Sequence, residues 1–135
     1  MVRAEMTDEA LQEELDRVVG AVRRVRLERQ GMPEAAVVAA VEAVLDAAGV
    51  SYDREVTVAP GSRVDLLTSG GVAVEVKRGK PNSIKVGMQV TRYADNPNVR
   101  AVVLVSERGL VHHVTEAHGK PVRYVALTAN WGLSV

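Results

Sequence analysis

Two carboxylates and a lysine fall close together in the middle of this 135-residue chain. In Val72-Ala73-Val74-Glu75-Val76-Lys77, strict alternation puts the valines on one face and Ala73, Glu75 and Lys77 on the other, so Glu75 and Lys77 point the same way. In the preceding apolar run Arg63, Asp65 and Leu67 share one face, and Val64 and Leu66 the other. If Ser69-Gly70-Gly71 is a three-residue loop, residues 65 and 75 lie directly opposite, with Cβ atoms about 5 Å apart. A four-residue loop sets them on opposite faces instead. Two carboxylates this close repel unless a cation or a proton lies between them, which predicts a hard divalent metal. A further acid, Glu42, is the sole charged residue from Ala35 to Leu45. An isolated acid on an apolar helix needs water, a partner or a metal. Alternatively, Glu34, Glu42 and Asp46 fall on one helical line and mark the solvent face.

Cations cluster after the lysine. Residues 1–60 carry twelve acids and seven bases, whereas Lys77, Arg78, Lys80, Lys85, Arg92 and Arg100 are opposed only by Asp95 in residues 77–100, a local charge of +5 within a chain of net charge zero. Such an excess attracts a polyanion, although a solvated helix face has the same composition. Lys85, Gln89 and Arg92 lie at i, i+4 and i+7, a polar stripe able to follow a phosphate backbone, with Tyr93 one turn beyond Gln89 to pack or to donate to a phosphate. Arg78, Gly79, Lys80 and Asn82 sit where helix N-terminal amides also meet phosphate. For Gln89 and Tyr93 the competing reading is an ordinary half-buried helix edge.

The elements that must hold these residues can be read from periodicity. Leu11, Leu15, Val18, Val19, Val22 and Val25 recur at helical spacing, predicting a long amphipathic helix from Thr7 to about Gln30. A second helix spans residues 34–48, between Pro33 and Gly49. The period then changes to two: residues 52–58, 62–67 and 72–77 read as a three-strand meander. Asn82 or Ser83 caps a third helix that reaches about Asp95. Val99 to Ser106 reads as a buried strand, with shorter strands near residues 111–114 and 124–128. The expectation is a single α/β domain with a mixed sheet flanked by helices: an N-terminal helical extension over residues 1–31, an αβββαβ core over 34–106 and a β-containing tail over 107–135.

Glu42, Asp65 and Glu75-Val76-Lys77, carried on a helix, a strand and the next strand, resemble the PD-(D/E)xK nuclease superfamily, whose restriction-endonuclease-like core has this αβββαβ order. Gln89-Val90-Thr91-Arg92-Tyr93 is similar to the QxxxY element of RecB-type members. The resemblance implies Mg²⁺, with Mn²⁺ as a substitute, bound by Asp65, Glu75 and the Val76 backbone carbonyl. It implies that Lys77 orients or activates the attacking water and stabilises charge on the phosphate, and that Glu42 assists metal or water binding. Val64 stands where the nominal proline would be. The size resembles that of Holliday junction resolvases, which are compact dimers.

The function expected from this reading is Mg²⁺-dependent hydrolysis of DNA in repair, recombination or mobile-element biology. A homodimer is expected for double-strand or junction cutting, with the apolar stripe of the first helix offered as its interface. The alternative is a nuclease-fold module that binds DNA or assembles with partners without cutting.

Composition narrows the field. The absence of cysteine excludes disulfides, thiol nucleophiles, iron–sulfur clusters and the cluster-bearing RecB-type relatives. No membrane span or signal-peptide pattern is evident, so the chain reads as cytoplasmic. No small-molecule cofactor is expected; Gly70-Gly71 lacks the lysine and context of a phosphate loop, and, as a separate exclusion, the serines lack partners for a nucleophilic triad. His112, His113 and His118 fit no familiar ligand spacing and read as surface or strand-edge residues. With three Tyr, one Trp and no Phe, the chain is poor in stacking platforms for single-stranded RNA.

Overall fold

The computed structural model describes residues 7–78, 82–108 and 114–127. Within them the chain forms helices α1 (Asp8–Val22), α2 (Glu34–Ala47) and α3 (Ser83–Ala94) and strands β1 (Tyr52–Ala59), β2 (Ser62–Thr68), β3 (Val72–Lys77), β4 (Ala101–Ser106), β5 (Glu116–Ala117) and β6 (Lys120–Ala126). The strands lie in the order β1-β2-β3-β4-β6-β5. β1, β2 and β3 are an antiparallel meander, while β3, β4 and β6 run parallel. A parallel neighbour needs a crossover, and α3 supplies it between β3 and β4.

The sheet is covered on both faces. On one face α1 and α2 pack Leu15, Val18, Val37, Val41 and Leu45 against Val72, Val74, Val76, Val103 and Val105. On the other, Val86, Val90 and Tyr93 of α3 pack against Leu67, Ala73, Val102 and Leu104. β4 is buried along its whole length because its two faces feed different cores, hence its unbroken apolar sequence. β1, by contrast, is an edge strand with half of its residues exposed, and its charged run Asp53-Arg54-Glu55 suits an edge. No helix among the described residues is long and apolar enough to cross a membrane.

The predicted order α, α, β, β, β, α, β holds, and β3 has the predicted bounds. Other expectations need correction. α1 stops at Val22 rather than near Gln30, because Val25 and Leu27 are both buried while Arg26 is exposed. Residues two apart share a face only in extended chain, so the core draws this segment out of the helix. The apolar stripe of α1 is itself spent on the core, with Leu15, Val18 and Val22 all buried, and is not available as a dimer interface. Val99 and Arg100 precede β4 instead of belonging to it, and β6 begins at Lys120 and ends at Ala126, short of Thr128. The strand expected near residues 111–114 falls mainly outside the described residues, as do Lys80, His112 and His113. Finally, Val64 packs with Leu67 in the α3-side core, and not with Leu66. The alternation of β2 therefore breaks at Asp65.

Candidate functional site

The turn between β2 and β3 sets the register of the two acids. Leu67 pairs with Ala73 and Leu66 with Val74, so one further step brings Asp65 opposite Glu75, the register of a three-residue loop. Side chains of α1 and β2 help to hold that loop. Glu14 of α1 accepts hydrogen bonds through Oε2 from the Thr68 hydroxyl at 2.5 Å and the Gly70 amide at 2.9 Å. Thr68 in turn accepts from the Val72 amide at 2.9 Å. Gly71 sits at φ +95°, and a Cβ there would lie 3.0 Å from the Asn98 carbonyl oxygen and from Cγ of Arg100.

Beyond Leu66 and Val74 the ordinary ladder gives way to the acids. The Asp65 amide donates to Glu75 Oε1 at 3.1 Å, and the Val76 amide donates to Asp65 Oδ2 at 2.7 Å. Each carboxylate thus ties itself to the main chain of the other's strand. Glu75 Oε2 accepts from the buried Tyr93 hydroxyl at 3.1 Å and lies 3.2 Å from the Lys77 ammonium. Across the same place in the sheet, β1 carries Glu55 in a left-handed conformation, φ +49°.

This crowding sets the electrostatics. Burial and the neighbouring Glu75 charge push the Asp65 carboxyl up to about 6, with the Val76 amide and Lys77 acting in the opposite sense. Burial, then Glu75, holds the Tyr93 hydroxyl well above its ordinary value, so it remains a donor.

Glu42 lies near this pair without bonding to it. Its Oε1 accepts from Arg54 Nε at 2.5 Å and from the Tyr52 hydroxyl at 3.2 Å, and it shares the lining of a cavity of about 420 Å³ with Asp65. Tyr52 also donates to Asp46 at 2.9 Å, and desolvation together with these two acids raises its hydroxyl. The isolated acid of α2 therefore has a partner that periodicity did not reveal, an arginine on the edge strand. Glu42, Asp46 and Tyr52 form a polar seam between α2 and β1, not a plain solvent face.

The cations split into two groups. Lys77, Arg78, Asn82, Lys85, Gln89 and Arg92 line a second cavity of about 390 Å³. Gln89 and Arg92 also line a third, of about 360 Å³, with Asp65, Glu75 and Tyr93. Arg100, counted with the basic stretch, instead pairs with Asp8 of α1 at 3.1 Å. Of the two roles expected of Tyr93, packing or donating to a phosphate, the structure shows packing: it is 1% exposed, sits in the α3-side core and donates to Glu75. Asn82 caps α3 by accepting from the Lys85 amide at 3.1 Å.

Asp65, Glu75 and the Val76 carbonyl are hard oxygen donors of the kind magnesium takes. Their crowding, with Asp65 raised by its neighbour, is the electrostatic state a divalent cation would relieve. No group of three or more His, Cys, Asp or Glu side chains able to hold a metal ion occurs among the described residues, so any cation here would rest on two carboxylates, main chain and water. Val76 offers its amide to Asp65, which leaves its carbonyl as the candidate donor. No family model matches the chain, and no curated protein or solved structure is significantly similar to it.

Proposed function

We propose that this chain is a metal-dependent DNA nuclease built on a restriction-endonuclease-like αβββαβ core. The observation that carries the reading is the meeting of Asp65 and Glu75 across the β2–β3 turn, each tied to the other's strand, with Lys77 3.2 Å from Glu75. Mg²⁺, with Mn²⁺ able to replace it, would be held by Asp65, Glu75 and the Val76 carbonyl, and when bound supplies an activated water and neutralises charge on the phosphate.

The chain's own residues do the rest. Lys77 is a mobile point charge at the junction of the acidic pair and the cationic cavity, where it meets a phosphate oxygen. Tyr93 and Lys77 share Glu75 Oε2 and so fix the rotamer of that carboxylate. Arg78, Lys85 and Arg92, with the Asn82-capped N-terminus of α3, draw the phosphate backbone toward the acids and make binding salt-dependent. Glu42, bridged to β1 through Arg54, acts on the Asp65 cavity from its far side.

The test is incubation with supercoiled, linear and branched DNA with and without Mg²⁺, alongside Glu75→Ala and Lys77→Ala. The expected result is cleavage that needs the metal and is lost in both variants. Cleavage unaffected by both substitutions would remove the assignment, and metal-independent binding without cleavage would favour the non-catalytic module.

A further inference from the structure

Ile84 and Met88 are 75% and 61% exposed, the two exposed large apolar side chains among the described residues. They lie one turn apart on the outer face of α3 and line a trough of about 800 Å³ with Gly87, Thr91 and Arg92. The trough does not stand alone. Met88 and Arg92 also line the cationic cavity of Lys77 and Lys85, and Arg92 and Gln89 reach from there into the cavity of Asp65 and Glu75. The acids, the cations and the apolar trough therefore form one path along α3. Ile84 to Arg92 covers about 12 Å of helix axis, a length of three to four nucleotides at roughly 3.4 Å each.

We propose that this trough takes the unpaired bases of a DNA substrate, so that strands bearing a flap, bulge or branch are preferred over plain duplex. The charge pattern selects this occupant. A polyanion satisfies Lys77, Lys85 and Arg92 while its bases, once unstacked, offer apolar faces to Ile84 and Met88, which meet them as aliphatic wedges and not as an aromatic stacking platform. A second copy of the chain docked on the same face by a twofold axis would bring two sets of the same cations, Lys85 and Arg92, into one interface. Paired bases offer only their edges, so a side chain reaches a base face where stacking is already broken. Ile and Met, unlike a hydrogen-bonding pair, accept any base, and the preference is for structure and not for sequence. Asp95 marks the far end of the trough and turns the backbone away there. This substrate class rests on the nuclease reading of the site, whereas the binding preference stands without cleavage.

Fluorescence anisotropy in Mg²⁺-free buffer with EDTA compares a labelled duplex with the same duplex carrying a short single-stranded branch, for the wild type and for an Ile84→Ser, Met88→Ser double variant. The wild type is expected to bind the branched ligand about tenfold more tightly, and the double variant to lose that margin while its duplex affinity stays within about twofold. A 2-aminopurine in the branch is expected to change its emission with the wild type and not with the double variant. Lys85→Ala weakens both ligands alike. An equal affinity of the wild type for both ligands, or an undiminished preference in the double variant, overturns the proposal. So does a double variant that converts a dimer to monomer in sedimentation, which would make the face a self-association surface. Cleavage is read separately on adding Mg²⁺: a branch preference without cleavage keeps the trough and removes the nuclease reading.

Discussion

Replacing Asp65 by asparagine tests whether the acidic pair is held at a cost to stability. The Asp65 carboxyl is raised from 3.8 to about 6 in the fold. A shift of that size corresponds to about 3 kcal/mol at face value. Asp65 is half-buried, so solvent screening reduces it to about 1–2 kcal/mol. The sign comes from linkage. Because the folded value lies above the unfolded one, the folded state holds more protons between about pH 4 and 6, and metal-free stability falls as pH rises through that window. Above it the penalty is fully present; below the unfolded value it is gone. In Asp65→Asn the amide oxygen still accepts from the Val76 amide and the NH₂ group donates to Glu75, with no second charge beside it. At about pH 8 without metal the variant is expected to be more stable than the wild type by about 1–2 kcal/mol, or about 4–7 °C in Tm. With saturating Mg²⁺ the order reverses, since the wild type gains binding free energy that the variant lacks. The assay is urea and thermal unfolding at several pH values with and without Mg²⁺. The difference between the two proteins isolates Asp65 from the other carboxylates, such as Glu42 beside Arg54. A variant less stable than the wild type at about pH 8 without metal, or a stability difference flat between about pH 4 and 7, would refute the reasoning.

Three further outcomes are expected of the site. Tyr93→Phe frees Glu75 Oε2 from one donor and is expected to lower the cleavage rate about tenfold with duplex affinity unchanged, because Tyr93 is buried; anisotropy and cleavage assays together separate the two effects. Gly71→Ala forces a side chain into a left-handed position against the Asn98 carbonyl and is expected to cost about 2–4 kcal/mol in urea unfolding. Glu14→Ala removes the acceptor of Thr68 and Gly70 and is expected to cost about 2–3 kcal/mol by the same measurement.

Much of the fold was legible because two periods do not mix. Alternation in residues 72–77 fixed β3 and aimed Glu75 and Lys77 together, and the continuous apolar run before Ser106 marked a strand buried on both faces. The glycine loop carried the register, since Ser69-Gly70-Gly71 admits the three-residue turn and Gly71 takes the left-handed conformation. Periodicity failed where one residue answers to two constraints. Val25 repeats at helical spacing from Val22, yet Leu27 also belongs to the core, and only extended chain satisfies both. Arg54, the partner of Glu42, was invisible because a charged edge strand gives no clue to which charge bends back over the sheet. Ile84 and Met88 did not stand out in the sequence, because nothing in residue type separates them from Val86 and Val90, which fill the buried face of α3.

The break in β2 at Asp65 shows why site and fold resist separate reading. A regular strand would continue the ladder from Leu66 and Val74 by pairing main chain with main chain. Here the Val76 amide takes the Asp65 carboxylate and the Asp65 amide takes Glu75, so the two acids do the work of backbone acceptors. Val64 then rejoins the α3-side core out of phase, opposite an edge strand that accommodates the change with Glu55 at positive φ. Alternation alone would carry Val64 to the side of Leu66, but Val64 packs on the side of Leu67. The residues proposed to hold the cation are also those that interrupt the alternation of the strand, while the pairing of β2 with β1 keeps one register from Arg54 opposite Leu66 to Val56 opposite Val64.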